Sequence, residues 1–386
     1  MEPADKIELE QKLARTAFSF RGYNVENLGR TKELLEHAVY GSLMKARLDY
    51  ASELAAGALN RRIDLADRVL RQDEPDLGTY GEAIALIVAA SLGQLDLLRQ
   101  YHGVEIAESQ ATFGFSLGEL VAVVASGMYE IESVLQLILP LARDAAELTL
   151  DVEMGVVFCR GRELDFDAVS RHCMEITYEG HGTIGISAYL APNTVTLLGQ
   201  GDTIDHFKQT IKNIPPHKVH LKKNDHRWPP LHTAIVRQKN MSNRGAVALE
   251  TLPGGFGMPH PPIVSCVTGD MSYTDVNSRE ILIDWIDQPQ HLWSAIEKIL
   301  QMGAERIVHV GPAPNIIPAT LNRLSIDVSS QLSRRSLSGM GMRAVSRMSR
   351  SRGWLRSMVA KNAALLRAPF IEQINLEDWL LDNPPP

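Results

Sequence analysis

Between a short apolar, β-prone run (Ala111 to Phe113) and an apolar helical stretch (Leu120 to Gly127), the chain reads Gly114-Phe115-Ser116-Leu117-Gly118-Glu119. A Gly-x-Ser-x-Gly in that setting predicts a strand-to-helix turn tight enough that only Gly tolerates the contacts on either side of the Ser. Such an elbow pushes the Ser116 hydroxyl out of the turn and leaves the N–H of Leu117 free to meet an oxyanion. The plainer alternative is a Gly-rich turn whose Ser caps the helix.

The rest of the chain alternates helical and strand patterns, as an α/β fold requires. Lys32 to Leu70 carries helical periodicity, with Leu34, Leu35, Val39 and Leu43 on one stripe. Tyr80 to Tyr101 is a second long helix whose middle is almost wholly apolar, which suits packing beside a sheet. From about Met154 the texture changes to strand (155–159), helix (165–173), a hairpin (183–188 with 194–198), helix (202–211) and strand (218–221). That β-α-β-β-α-β order is the ferredoxin-like signature.

Composition sets bounds on function. A 386-residue chain that is 45% hydrophobic buries a large core. A net charge of −7 argues against a general nucleic-acid binder. Cys159, Cys173 and Cys266 are far apart and lack metal-ligand spacing, so they read as reduced thiols, and no metal site is expected. The first residues carry no basic and apolar leader, and no apolar run approaches the ~18 residues of a membrane span. The expectation is a cytoplasmic protein.

The longer string Gly114 to Gly127 (GFSLGELVAVVASG) resembles the active-site segment of the malonyl-CoA:acyl-carrier-protein transacylase family, which includes the acyltransferase domains of fatty-acid and polyketide synthases. Further landmarks follow in order. Ala17 to Gly22 is similar to the family's first strand and loop, and Pro192 to Gly199 to the end of its small-subdomain hairpin. Pro230-Leu231-His232-Thr233 resembles the loop carrying its histidine, Val264 to Gly269 the strand after it, and Gly303 to Pro312, ahead of Leu321-Asn322-Arg323, its closing strand and Gly-Pro turn. The resemblance spans about residues 17–323. It implies an α/β-hydrolase-like parallel-sheet core (1–153 and 222–325) with an inserted ferredoxin-like small subdomain (154–221). It also implies transfer of an acyl group, malonyl by default, from acyl-CoA to the phosphopantetheine thiol of an acyl-carrier protein through an acyl-Ser, with no cofactor.

Acylation of a Ser requires a base that takes the hydroxyl proton and returns one to the leaving thiol. Of twelve histidines, His232 stands out because Pro229-Pro230 fixes the approach of the backbone and Ala234, Ile235 and Val236 can anchor a helix after it. An ordinary imidazole, with pKa near 6.5, suits the role. His217, His220, His226 and His309 are weaker candidates. In the family a backbone carbonyl orients the imidazole, so no triad carboxylate is assigned; a hydrolase would call for one, and Asp225 is the residue to name.

Departures from the family bear on substrate. Its first loop reads Phe-Pro-Gly-Gln-Gly; here it is Phe20-Arg21-Gly22-Tyr23-Asn24, which leaves Tyr23 to supply the second oxyanion N–H from its backbone. Malonyl-selective members carry an Arg in the helix after the elbow, where a planar fork clasps the free carboxylate. Ungapped counting from Ser116 puts Leu141 there, after Pro140, with Arg143 two residues out of register. Phe115 replaces the usual His, Leu231 precedes the histidine, and Ala188 and Leu190 stand where Asn is common. The expected pocket is more apolar than a malonyl pocket, so an uncharged acyl group rivals malonyl.

Residues 326–386 fall outside the resemblance and read as a basic, partly flexible tail. Arg and Lys recur from Ser329 to Ile371 without an acidic residue, interleaved with Ser and Gly. Trp354, Met358, Val359, Leu365 and Leu366 fit one face of a basic amphipathic helix, which could dock an acidic carrier or an anionic surface; the plainer reading is a solvated tail. The rival functions are a serine hydrolase or thioesterase with water as acceptor, and a non-catalytic module that docks carrier proteins.

Overall fold

The computed structural model describes residues 12–160, 163–214, 219–336 and 363–385. Its larger sheet has five strands in the order β7 (Ile263–Val264), β2 (Ala111–Gly114), β1 (Thr16–Phe20), β8 (Arg306–Val310) and β9 (Glu372–Asn375), all paired parallel. The central strand β1 is buried at every position, as a parallel strand covered on both faces must be. Successive residues serve opposite faces. Phe18, Phe20, Val308 and Val310 join the core built on the helix Tyr80–His102, whereas Ala17, Phe113, Ala111 and Ile307 join a second core with the helix Leu292–Met302.

The second sheet is antiparallel, in the order β4 (Ile184–Ala191), β5 (Thr194–Gln200), β3 (Val152–Cys159) and β6 (Val219–Lys223). With the helices Phe166–Tyr178 and Thr203–Thr210 on it, the chain order is β-α-β-β-α-β, the ferredoxin-like arrangement. The protein is thus α/β, a parallel-sheet core with an inserted antiparallel unit.

Four details differ from the sequence reading. The stretch from Lys32 to Leu70 is divided among Thr31–Glu36, Gly41–Leu59 and Leu65–Arg71, the last two ending on left-handed Asn60 and Gln72. The helix after the elbow starts at Leu117, directly after Ser116. One helical segment, Leu77–His102, does meet the length and hydropathy of a membrane span, because isolated Glu82, Ser91 and Gln94 interrupt its apolar run without lowering the mean much; 89% of its apolar window is buried inside the protein.

The fourth difference is the tail. The helix Ile316–Ser336 runs across the expected boundary at 326, and the described residues 363–385 contribute to both cores. Leu365 and Ala368 pack with the helix Leu292–Met302, β9 extends the parallel sheet, and Leu376 and Leu380 of the closing helix Leu376–Asp382 fill the other face. Glu-Gln-Ile-Asn is a poor strand by propensity, but an edge strand is recruited through backbone groups alone, so its side chains leave little trace in sequence. Trp354, Met358 and Val359 lie outside the described residues.

Candidate active site

β2 ends at Gly114 and the next helix begins at Leu117, so the chain reverses over two residues. Cβ atoms explain the flanking glycines. One on Gly114 would lie 2.1 Å from the carbonyl carbon of Gly118, and one on Gly118 would lie 2.1 Å from the carbonyl oxygen of Phe20. Ser116 takes the strain of the turn, with φ 55° and ψ −120°. A Ser that caps its helix through its side chain is the plainer alternative, and Ser116 makes no such bond. Its Oγ lies 2.7 Å from Nε2 of His232 instead.

His232 also has positive φ, 64°, and sits just before the short 3-10 helix Ala234–Lys239. Its Nδ1 is 2.7 Å from the carbonyl oxygen of Trp285, and its backbone N–H donates to Ile286 O at 2.9 Å. A carbonyl only accepts, so Nδ1 carries the proton and Nε2 faces Ser116 with a free lone pair. Burial pushes the imidazole pKa down to about 4, against a smaller upward pull from the Trp285 carbonyl. The ring is therefore neutral at pH 7. Asp225 is exposed and is not the partner of Nδ1.

The segment from Trp285 to Gln290 holds the nucleophile as well as the base, and nothing in the sequence reading singled it out. The Trp285 indole N–H donates to the carbonyl of Ser116 at 2.9 Å, and Gln290 Oε1 accepts the Ser116 N–H at 3.3 Å. Both peptide groups of the strained residue are thereby tied to one stretch of chain. Gln290, fully buried, also bridges the two sheets: its N–H donates to Ser187 O and its carbonyl accepts from Tyr189 N, both on β4. A buried Gln in a polar Asp-Gln-Pro-Gln-His string carries no distinguishing sequence signal.

Arg21 is a second unanticipated element. It is fully buried and donates to Gly22 O (2.8 Å), Pro312 O (2.6 Å), Asn27 Oδ1 (2.8 Å) and Glu26 O (3.1 Å). Burial lowers its pKa to about 10, opposed by the charges of Glu377 and Glu74. It ties the loop after β1 to the Gly311-Pro312 turn. Glu377, from the closing helix, accepts from Ala313 N at 2.8 Å and Arg30 N at 3.1 Å, so the C-terminal segment braces that turn from the other side. Glu119, one turn into the elbow helix, accepts from Ser265 Oγ, Tyr273 OH and Cys266 N; its burial raises its pKa to about 7 against those bonds.

Ser116 and His232 open into a cavity of about 390 Å³ between the two sheets. Of the residues singled out from sequence, Tyr23, Phe115, Ala188, Leu190 and Leu231 line it. Tyr80, Met154, Leu198 and Trp228 line it too, and these were not anticipated; a Trp directly before Pro229-Pro230 and the histidine was the one available hint. Leu117 opens the elbow helix, where its N–H has no place in the helical ladder. Leu141 and Arg143 do not join the cavity. Leu141 is 2% exposed in the core on the helix Ile131–Thr149, and Arg143 points to solvent and pairs with Glu147 at 3.0 Å. Register counting gave the position on the helix but not which way that helix faces.

The sequence showed no metal-ligand spacing, yet the fold brings ligand atoms of Glu179, His181 and His206 within 4.8 Å of one another on the small subdomain. They already pair locally, His206 with Glu179 at 3.2 Å and His181 with Asp202 at 3.7 Å. The grouping lies apart from Ser116.

No protein-family model matches the sequence, and no curated protein matches it. Solved structures do match. An acyl carrier protein S-malonyltransferase from Vibrio cholerae superposes with TM-score 0.60 at 20% identity, covering 78% of this chain and 90% of the other. A malonyl-CoA:acyl carrier protein transacylase from Xanthomonas oryzae pv. oryzae gives 0.62 at 18% identity, covering 80% and 90%. A malonyl-transacylase solved in complex with a type II polyketide synthase acyl-carrier protein gives 0.61 at 19% identity, covering 79% and 92%. At these identities the likeness is one of architecture, and the chain has the fold of the malonyl-CoA:acyl-carrier-protein transacylases.

Proposed function

We propose that this protein is an acyltransferase of the malonyl-transacylase family that moves an acyl group from CoA to the phosphopantetheine thiol of an acyl-carrier protein through an ester on Ser116. The observation that carries the reading is the 2.7 Å contact between Ser116 Oγ and an unprotonated His232 Nε2, in a ring fixed by the Trp285 carbonyl. His232 takes the hydroxyl proton as Oγ attacks the thioester carbonyl. The N–H of Leu117 and a backbone N–H at Tyr23 are the donors for the oxyanion. The C–S bond breaks, the proton goes to the CoA sulfur, and the acyl-Ser ester remains. The carrier thiol then gives its proton to His232, attacks the ester and leaves as the new thioester, with Ser116 restored. The malonyl-transacylases of the same fold supply malonyl and the carrier as precedents, and the sequence motifs and the fold support the chemistry.

Incubation with acyl-CoA, followed by intact-protein mass spectrometry, should show one acyl adduct that persists in water and disappears on adding phosphopantetheinylated carrier. Rapid release of free acid, at a rate indifferent to the carrier, would instead mark a hydrolase.

A further inference from the structure

We propose that the acyl group taken by this site is uncharged and larger than acetyl, a medium-chain or aromatic acyl rather than the half-thioester of a dicarboxylic acid. The inference rests on the acyltransferase reading above and is carried by the cavity walls.

Among the described residues, no Lys, Arg, Asp or Glu lines the cavity. Three arginines on or near its flanking elements, Arg21, Arg227 and Arg143, are committed elsewhere. Arg21 gives four of its five N–H groups to Gly22 O, Pro312 O, Glu26 O and Asn27 Oδ1, Arg227 donates to the carbonyls of Thr149, Leu150 and Val152, and Arg143 is paired with Glu147 at the surface. The two hydroxyls on the small-subdomain wall, Ser187 and Thr196, bond each other at 2.8 Å. A carboxylate entering this space would lose its water without gaining a cation, which is costly.

The walls suit hydrocarbon instead. Tyr23 meets Tyr80 edge-on (centroids 4.9 Å apart, planes at 87°) and Trp228 likewise (6.0 Å, 81°), so three aromatic rings form one corner. Met154, Leu198 and Leu231 continue the apolar surface. The cavity, about 390 Å³ and open at one side, holds the Ser116–His232 pair and still leaves apolar space beyond it for a group larger than acetyl. The Trp228 indole N–H is buried without an acceptor, and with the amides of Asn24, Asn224 and Asn315 on the same lining it offers neutral polar contacts to an oxygen of the incoming group.

The test is a competition. The protein is mixed with equal concentrations of malonyl-, acetyl-, hexanoyl- and benzoyl-CoA, and the adducts are read by mass spectrometry at early times. Hexanoyl and benzoyl adducts should each exceed malonyl by about 10- to 100-fold, the factor that a lost Arg–carboxylate pair represents. A dominant malonyl adduct overturns the inference while leaving the acyltransferase reading intact. Labelling of Ser116 by a fluorophosphonate, with no adduct from any thioester, overturns the acyltransferase reading and this inference with it. Trp228→Ala, checked for folding by circular dichroism, should lower kcat/KM for hexanoyl-CoA about 10-fold more than for acetyl-CoA; equal losses would remove the aromatic corner from specificity.

Discussion

The two ends of the cavity are built on different principles. At the Ser116 end, geometry is fixed mostly through backbone groups: a strained φ, two glycines that admit no Cβ, the Trp285 carbonyl on the imidazole and Ser116's own N–H and C=O tied to residues 285–290. At the acyl end, shape comes from side chains on many separate stretches of chain, and the Trp228 indole N–H there has no acceptor. The contrast teaches that reactivity here is over-determined and substrate choice is not. On the proposed function, a single side-chain change should redirect substrate choice, whereas removing one support of the reactive end should lower activity only in part.

The largest break in that contrast is Ser116→Ala. It should abolish the acyl adduct, lowering turnover by at least about 10³-fold while leaving the unfolding transition in place. An adduct that survives would place the nucleophile elsewhere. Next is the base: His232→Asn, chosen because Asn tolerates the positive φ, should cost about 10²- to 10⁴-fold in acylation rate with little change in KM.

Trp285→Phe keeps the carbonyl that orients His232 and removes only the indole N–H to Ser116 O. With one hydrogen bond of about 1–1.5 kcal/mol lost, kcat should fall about 10-fold and KM should barely move. A loss in KM alone would assign the indole to substrate binding rather than to the elbow.

The pH profile sharpens the same point. Burial holds the folded-state pKa of His232 below its ordinary 6.5, so the ring stays neutral as pH falls through 6.5 and charges only near 4. Acylation should therefore stay level down to about pH 5 and decline with a midpoint near 4. The stability linked to this group is full above 6.5 and is lost as pH falls through about 4. A kinetic midpoint near 6.5 would mean a solvated imidazole.

The smallest effect expected is at Glu119, whose folded-state pKa is raised to about 7. Its contribution to stability is complete below about 4.5 and fades as pH rises through 7, so chemical denaturation should show a shallow loss of stability across that interval. Glu119→Gln should flatten the slope.

Much of this was legible in the chain because local chemistry leaves local marks. Gly114-x-Ser116-x-Gly118 is a steric statement about one turn, and the strand and helix periods of 152–223 specify the order of an antiparallel unit without reference to anything distant. Ser116 and His232 could be named because each sits in a short string with its own backbone constraint, although their 2.7 Å separation spans 116 positions. Tertiary structure alone decided the rest. Leu141 and Arg143 were placed by counting, but whether a helical position faces a cavity depends on what packs against it, and here Leu141 went to the core and Arg143 to solvent. Trp285 and Gln290 matter through groups every chain has, a carbonyl and an amide, which composition cannot distinguish. The segment from 363 onward looked peripheral because an edge strand is joined by backbone hydrogen bonds, and a four-residue Glu-Gln-Ile-Asn shows no period. Sequence records what a residue does to its neighbours in the chain; the partners it meets across the fold are set only when the sheets close.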